Sequence, residues 1–408
     1  SGQWHEDKRH GVGTQVLEIG SSYEGDWEED MRQGKGLWKS AEGEVYDGEW
    51  EKDKRHGEGS FTGLKGVKYA GEWEHDLRHG KGKSDSPVDG SYDGEWYEDR
   101  KQGEGVWMAI NGDKYSGDWD DDYMHGRGTW EGADGERYTG DWKESTRHGN
   151  GEQVLASGER YQGGWKENNP HGKGEWMGAQ GQSYKGQFCE NQKHGRGDWR
   201  STEFTYSGEW EFDLKNGVGK WANAADGASY DGMWRKDRKH GQGIYVGAAQ
   251  DKYDGEWEND LRNGDGHQVE ASGESYDGQW KKDKRQGQGV WKSASGDKYN
   301  GEWHANMKSG DGEMVRSTGE VYDGQWKKDK RHGEGKWEFQ KNSYHGQYMD
   351  DLRHGHGEWV DSVGDKYVGN WRNDKKNGHG VLYYTNGNVY DGDWEDDMKH
   401  GKGHSVGN

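Results

Sequence analysis

The sequence has 408 residues, a formal net charge of −22 and only 27% apolar residues. Those values are typical of disordered chains, but 25 Trp, 23 Tyr and 74 Gly exclude that class, because disordered chains are poor in aromatic residues. The acidic charge argues against duplex nucleic acid as a partner and disfavours anionic membrane lipid, and the one cysteine excludes an internal disulfide framework.

A 23-residue repeat organises the chain. The first copy, residues 1–22, is partial and lacks its tyrosine, and the last, residues 390–408, is truncated. Spacing departs from 23 around Tyr206 and between Tyr322 and Tyr344. The tyrosines that open the other repeats are Tyr23, Tyr46, Tyr69, Tyr92, Tyr115, Tyr138, Tyr161, Tyr184, Tyr206, Tyr230, Tyr253, Tyr276, Tyr299, Tyr322, Tyr344, Tyr367 and Tyr390. Residues 1–408 are therefore predicted to be one continuous array.

Each repeat contains two segments with strand periodicity, Y-x-G-x-W and then G-x-G-x-W. Alternate residues of a strand share a face, so the rings and glycines point one way and the charged residues the other. Polar D-x-K-x-G stretches between the segments predict hairpin loops, and facing glycines are expected to make room for the Trp rings. The predicted fold is all-β, an elongated single-layer β-hairpin solenoid of about 18 repeats, roughly 170 Å long at 4.8 Å per strand.

The pattern resembles the MORN repeat (membrane occupation and recognition nexus), whose core is Y-x-G-x-W followed by G-x-G at this spacing. The resemblance covers essentially the whole chain, from Gly11 and Gly13 to Gly401 and Gly403. It implies elongated single-layer β-solenoids, often dimeric, in cytoskeletal and ciliary scaffolds such as radial spoke heads. It also implies accessory arrays in junctophilins and plant phosphatidylinositol phosphate kinases.

Two regular polar features have structural and functional interpretations. Histidines precede the first Gly of many G-x-G pairs, as His56 and His240 do, and their exchange with Asn predicts a turn residue with unusual backbone angles rather than a metal ligand. Asp follows the first Trp by three positions, with Lys or Arg two residues later. This charged strip either docks a partner or consists of Asp residues that cap their own turns, with the two rows screening each other.

No catalytic arrangement is predicted. Carboxylate pairs such as Glu28 with Glu29 lie in predicted exposed loops, and G-x-G joins strand to strand instead of opening a helix. No nucleophile–base set emerges around Cys189. The chain is therefore expected to be no enzyme and to need no cofactor or metal.

The irregular repeats offer candidate docking or bend sites. Phe188, followed by Cys189, and Tyr348 replace the first Trp of their repeats, and Tyr206 and Tyr344 mark the altered spacing. The simpler explanation of these changes is drift at tolerant positions. The sharper hypothesis is that regions 184–230 and 322–348 bend the array or bind a partner.

The function predicted from these features is a non-enzymatic scaffold, a rod that binds protein partners and forms homo-oligomers laterally or end to end. The resemblance adds a cytoplasmic setting in a cytoskeletal or ciliary assembly. The alternatives are a self-assembling head-to-tail filament subunit and a repeat module that binds phospholipid or carbohydrate.

Overall fold

The computed structural model describes residues 1–18 and 20–407, which form two sections, Ser1–Ser201 and Thr202–Asn408. Each section is a run of antiparallel strands in which every strand pairs with its neighbours in sequence. The predicted all-β array of hairpins is confirmed. That the array behaves as one continuous domain stays a prediction. No helix in the described part is long and apolar enough to cross a membrane.

The N-terminal section contains β1 (Gly2–His5), β2 (Lys8–Val16), β3 (Ser22–Glu28), β4 (Met31–Lys39), β5 (Val45–Glu51), β6 (Lys54–Thr62), β7 (Lys68–Glu74), β8 (Leu77–Ser86), β9 (Gly90–Tyr97), β10 (Arg100–Met108), β11 (Lys114–Asp120), β12 (Tyr123–Glu131), β13 (Arg137–Lys143), β14 (Thr146–Val154), β15 (Arg160–Lys166), β16 (Asn169–Met177), β17 (Ser183–Cys189) and β18 (Gln192–Arg200). A short 3-10 turn, Leu64–Gly66, lies between β6 and β7.

The C-terminal section contains β19 (Phe204–Glu211), β20 (Leu214–Asn223), β21 (Ser229–Arg235), β22 (Arg238–Val246), β23 (Lys252–Glu258), β24 (Leu261–Val269), β25 (Ser275–Lys281), β26 (Lys284–Lys292), β27 (Lys298–His304), β28 (Met307–Val315), β29 (Val321–Lys327), β30 (Lys330–Phe339), β31 (Asn342–Met349), β32 (Leu352–Val360), β33 (Lys366–Arg372), β34 (Lys375–Tyr383), β35 (Val389–Glu395) and β36 (Met398–Val406).

The hairpin within a repeat closes through a two-residue turn. In the turn between β3 and β4, Glu29 and Asp30 both have positive φ, 49° and 72°. This is the type I′ geometry, whose twist matches that of antiparallel strands. Asp tolerates the left-handed conformation at the second turn position better than most residues. The D-x-K-x-G stretch thus forms the predicted hairpin loop.

The first Gly of G-x-G forms a β-bulge. Gly57 has φ +56°, and the register between β5 and β6 shifts between Gly48 and Glu49. An extra residue in one strand, with glycine in the left-handed region, bends the strand and increases its twist. His56 lies in β6, opposite Glu49, and its φ is not positive. The expectation that the histidines adopt unusual backbone angles is therefore wrong, because the following glycine takes the left-handed conformation.

The second Gly of G-x-G allows a close packing contact. Gly59 faces Gly48 across the β5–β6 pair, and the Tyr46 ring lies over both residues. A Cβ atom on Gly59 would overlap the Tyr46 hydroxyl. The expected space for a ring is present, but tyrosine occupies it more closely than tryptophan does.

The core of each section is a continuous line of Tyr and Trp rings from the Y-x-G-x-W segments, called here the inner ladder. Tyr46 is fully buried and packs edge to face on Trp50 of its own repeat, with ring centroids 5.1 Å apart, and on Trp73 of the next, 5.4 Å apart. The Trp50 indole N–H donates to the Gly36 carbonyl of the preceding repeat at 3.0 Å, and the Tyr46 hydroxyl donates to the Glu49 carbonyl at 2.9 Å. Each repeat therefore completes its core only with its neighbours.

Candidate functional site

The side chains two positions after the second Gly of G-x-G form a second line, on the same face of the sheet as the inner ladder. This line is called here the variable row. Phe61 is paired across the strands with Tyr46 on one side and Tyr69 on the other. Most members of the row are half-buried, whereas the inner-ladder rings are buried. The variable row comprises Gln15, Trp38, Phe61, Ser84, Trp107, Trp130, Gln153, Trp176 and Trp199 in the N-terminal section, and Trp221, Tyr245, Gln268, Trp291, Met314, Trp337, Trp359, Leu382 and Ser405 in the C-terminal section.

Two pairs of consecutive tryptophans in the variable row stack on each other. The ring centroids of Trp176 and Trp199 are 5.8 Å apart with an interplanar angle of 13°, and those of Trp337 and Trp359 are 5.8 Å apart with an angle of 15°. Offset stacking at this distance is a favourable arrangement for aromatic rings. At these two places the row therefore presents a pair of aligned rings, one from each of two consecutive repeats.

A cation of the repeat lies over the inner-ladder rings, and in some repeats it also contacts the ring of the variable row. The Arg353 guanidinium lies 4.2 Å from the centroid of Trp371 in the next repeat and 4.9 Å from that of Trp359 in the row. Lys239 occupies the same place beside Trp257 and Tyr245, at 4.3 and 4.5 Å. Burial lowers the pKa of Lys239, and the nearby carboxylate of Asp260 opposes that shift. Cation–π contacts thus fix these charges on the ring face.

The charged strip of Asp and basic residues, repeated along the chain, joins one repeat to the next. The Asp53 carboxylate accepts hydrogen bonds from the backbone N–H of Arg32 at 2.9 Å and from its Nε at 3.2 Å. The Asp53 N–H donates to the Arg32 carbonyl at 3.1 Å. In the first such tie, the hydrogen bonds from Arg9 lower the pKa of Asp30. The hypothesis that each Asp caps its own turn is wrong, because the Asp53 carboxylate accepts hydrogen bonds from Arg32, 21 positions upstream in the preceding repeat.

These ties persist where the charged residues are replaced. Ser145 stands in the Asp position, and its hydroxyl accepts from the Met124 N–H at 3.1 Å. Asn168 accepts from the Arg147 N–H at 2.9 Å. The strip is therefore primarily a structural connection between repeats. Its signal in the sequence is the constant spacing between the position that holds Asp, Asn or Ser and the basic residue.

The predicted docking or bend residues are mostly inner-ladder residues. Phe188 is 8% exposed and Tyr348 4%, and each packs edge to face on the tyrosine of its own repeat and of the preceding one. Neither ring carries the indole N–H that Trp50 donates. Tyr206 and Tyr344 are buried and donate to the carbonyls of residues 209 and 347.

Cys189 is half-buried at the end of β17, paired with Gln192 across the hairpin. The boundary between the two sections, after residue 201, falls within the 184–230 region. Because four of the five candidates are buried, a partner at these repeats would meet neighbouring side chains. The docking or bend role of Phe188, Cys189, Tyr206, Tyr344 and Tyr348 stays a prediction.

The positions of the polar side chains bear on metal binding and on acid–base chemistry. In residues 1–18 and 20–407, no three His, Cys, Asp or Glu side chains come close enough together to hold a metal ion. The carboxylates of Glu28 and Glu29 are exposed at a hairpin turn. The arrangement offers binding chemistry, with aromatic faces and fixed cations repeated along one surface.

Comparison with known proteins identifies the repeat. The family model described as "MORN repeat" matches seventeen segments: 1–22, 23–45, 46–66, 69–89, 92–114, 115–137, 138–160, 161–183, 206–222, 230–252, 253–269, 276–298, 299–321, 322–343, 344–366, 367–389 and 390–407. The repeat led by Tyr184, which contains Phe188, falls outside the matched segments. No curated protein matches the sequence.

Similar solved structures are distant. The TCP domain of SAS-4 from Drosophila melanogaster, in complex with a proline-rich motif of Ana2, is 13% identical, with 42% of this chain and 82% of that chain covered and a TM-score of 0.21. The TCP10 domain of CPAP from Danio rerio, in complex with a STIL peptide, is 8% identical, with 74% and 98% covered and a TM-score of 0.20. A streptogramin B lyase is 13% identical, with 71% and 90% covered and a TM-score of 0.13. At these TM-scores the likenesses carry no argument about function.

Proposed function

Because the chain belongs to the MORN-repeat family, we propose that it is a non-enzymatic scaffold whose variable row binds extended segments of protein partners. The repeat architecture itself suggests a scaffold or interaction module. The observation that carries the proposal is the regular line of half-buried rings and fixed cations beside a fully buried inner ladder. Interfaces draw most of their binding energy from a few aromatic and Arg side chains of this kind.

The inner ladder supplies the rigidity that such a surface needs. Its rings are already packed edge to face, and its hydrogen-bond donors are already used within the array. A partner therefore meets preorganised groups, which reduces the entropy lost on binding. Because the same groups recur every repeat, a long partner segment can engage several of them in register.

By its resemblance to other members of the family, we further propose a cellular location and an oligomeric state. The chain acts in the cytoplasm, in a cytoskeletal or ciliary assembly, and forms homo-oligomers laterally or end to end. Localising the tagged chain in ciliated cells of its source tests this setting: signal on basal bodies or axonemes supports it, and signal confined elsewhere contradicts it. Negative-stain microscopy over a concentration series tests self-assembly, since fibres that dissolve on dilution would indicate a filament subunit.

Selection of short random peptides displayed on phage against the full chain tests the binding proposal. The test variant is Trp337→Gln with Trp359→Gln, which removes one stacked pair while keeping a side chain that the row uses at Gln268. The control variant is Lys336→Gln with His345→Gln, two exposed residues paired across β30 and β31 on the opposite face.

Peptides that bind near this pair should lose about tenfold or more in affinity on the test variant and little on the control. Absence of any enriched peptide, or equal losses on both variants, would contradict the proposal. Flotation with anionic liposomes, or saturable sugar binding, in place of peptide binding would favour the lipid or carbohydrate alternative.

A further inference from the structure

The variable row has a gap at Ser84. The neighbouring positions hold Phe61 in the preceding repeat and Trp107 in the following one. At the other ringless positions before the last strand, a larger side chain fills the place: Met314 is buried, for example, and the Gln268 amide oxygen accepts from Arg262 Nη1 at 3.0 Å. The other serine of the row, Ser405, lies in the last strand, β36. Ser84 lies in β8 with strands paired on both sides, so its small side chain leaves an internal vacancy in the row.

A pocket of about 550 Å³ opens at this gap. Phe61 and Trp107 line it from the two adjacent repeats, and Trp73 and Trp96 of the inner ladder also contribute to its wall. Pockets of this size are large enough for drug-sized groups. The Trp107 indole N–H donates to the Asp89 carbonyl at 3.1 Å, which fixes one wall against the loop that follows β8.

The cation beside the gap, Arg78, contacts only inner-ladder rings. The Arg78 guanidinium lies 4.0 Å from the Trp96 centroid, and its own repeat supplies only Ser84 to the row. Arg353 has both Trp371 and Trp359 around it. The Arg78 side chain is 30% exposed, compared with 24% for that of Arg353. Arg78 therefore presents part of its guanidinium to the pocket, in the place where Arg353 has the ring of Trp359 beside it.

The loops beside the pocket carry exposed apolar side chains. Leu64 and Val67, in and just after the 3-10 turn, are 48% and 40% exposed, and Val88 is 78% exposed. Val67 also lines the pocket. Apolar side chains exposed together in adjacent loops favour contact with another apolar surface.

From these features we infer that the Ser84 pocket binds a single aromatic side chain from an extended segment of a partner protein. The inserted ring takes the place that Trp occupies elsewhere in the row, between Phe61 and Trp107 and beside Arg78. Stacking of consecutive rings at Trp176–Trp199 and at Trp337–Trp359 shows that one repeat is a suitable interval for ring-on-ring contact. Residues flanking the inserted ring contact Val67 and Val88. The inference rests on the proposed function and specifies where its partner is anchored.

The test repeats the peptide selection on the full chain and compares three variants. Ser84→Trp fills the gap with the ring of neighbouring repeats, and Ser84→Gln fills it with a side chain that β14 carries at the same position, Gln153. Gln153→Trp is the matched control, because it adds a ring to the row where no gap exists. Melting curves establish that each variant folds, and Ser84→Gln keeps the test decisive if the larger ring disturbs the fold.

Peptides enriched on the wild-type chain and depleted on Ser84→Trp should share an aromatic residue. Their affinity should fall about tenfold or more on both Ser84 variants and on replacement of that residue by Leu, and should be retained on Gln153→Trp. Enriched peptides without an aromatic residue, or equal binding to the Ser84 variants, would overturn the inference. If peptides bind the Ser84 variants unchanged but lose affinity for Trp337→Gln with Trp359→Gln, the proposed function stands and the Ser84 pocket does not.

Discussion

The inner ladder and the variable row lie side by side on one face, yet they differ in every respect that matters to function. Inner-ladder positions hold Tyr and Trp with few exceptions, and all of them are buried. Their polar atoms typically bond to backbone carbonyls of the array, as those of Tyr46 and Trp50 do. Row positions hold Trp, Tyr, Phe, Gln, Met, Leu or Ser, and most are half-buried. The inner-ladder residues therefore stabilise the fold, whereas the variable-row residues are presented on its surface.

Alkaline pH should have the largest effect, because it acts on the whole inner ladder at once. Burial raises the pKa of Tyr161 and of Tyr276 to about 12, and it raises the pKa values of other ladder tyrosines, such as Tyr46 and Tyr69, further. Unfolded tyrosine ionises near pH 10, so the stabilising contribution is complete below that pH and is lost as pH rises through the folded pKa. Each tyrosine then removes about 1.4 kcal/mol per pH unit.

We therefore expect cooperative loss of the sheet between about pH 10 and 12, with circular dichroism and tyrosinate absorbance changing together. Ionisation of the ladder tyrosines near pH 10 without any loss of structure would show that burial does not hold them neutral.

Removing one ladder ring should cost more than removing one row ring. Trp50→Ala deletes a side chain that is 5% exposed and contacts Tyr23 and Tyr46, so a loss of about 3–5 kcal/mol is expected. Trp38→Ala, in the half-buried row, is the matched comparison and should cost roughly half as much, since less apolar area leaves water there. Hydrogen exchange of β3–β6 measures both, and equal losses would remove the distinction between the two lines.

Adding one methyl group beneath a ladder tyrosine should have an intermediate effect. The new Cβ in Gly59→Ala overlaps the Tyr46 hydroxyl, and the resulting displacement of the ring should cost about 1–3 kcal/mol. Ser60→Ala changes the next residue, on the opposite face, and serves as the control. A melting temperature for Gly59→Ala equal to that of the control would mean that the ring has room to move.

The smallest effect is expected where the ladder itself varies. Phe188→Trp restores an indole N–H whose acceptor, by analogy with Trp165 and the Gly151 carbonyl, is the Gly174 carbonyl. It should stabilise the repeat by about 0.5–1.5 kcal/mol, and Trp165→Phe should destabilise its own repeat by a similar amount. Hydrogen exchange of the amides in each repeat measures both changes in stability. A loss of stability in Phe188→Trp would indicate that this repeat is shaped for the smaller ring.

The sequence predicts the strands, the hairpins and the buried rings, because these follow from period-two alternation and from a repeat read seventeen times over. It does not predict which atoms of adjacent repeats meet. The Asp53 carboxylate binds Arg32 in the preceding repeat, and nothing in the local pattern distinguishes that contact from a cap on its own turn. The exchange of His with Asn suggests unusual backbone angles at His56, but the residue with positive φ is the glycine after it, Gly57.

The gap at Ser84 illustrates the same limit. Absence of the second aromatic is visible in the sequence, but a missing ring leaves a pocket only if its neighbours keep their positions. Phe61 and Trp107 do so because each is held between paired strands. Gln153 and Met314 occupy equivalent positions with side chains large enough to fill them. Spacing alone does not reveal that difference.

The ties between repeats also determine how the protein is made. Arg32 meets Asp53 across 21 residues, and the indole of Trp50 meets Gly36 across 14, in a chain of 408. Chains whose contacts are this local fold quickly, because little loop entropy is lost before each contact forms. Within each section, the repeat that a newly synthesised repeat packs against is the one that left the ribosome just before it. Growth by addition to a finished end would keep few unpaired strands exposed at any moment, so a nascent chain this long can assemble with little opportunity to aggregate.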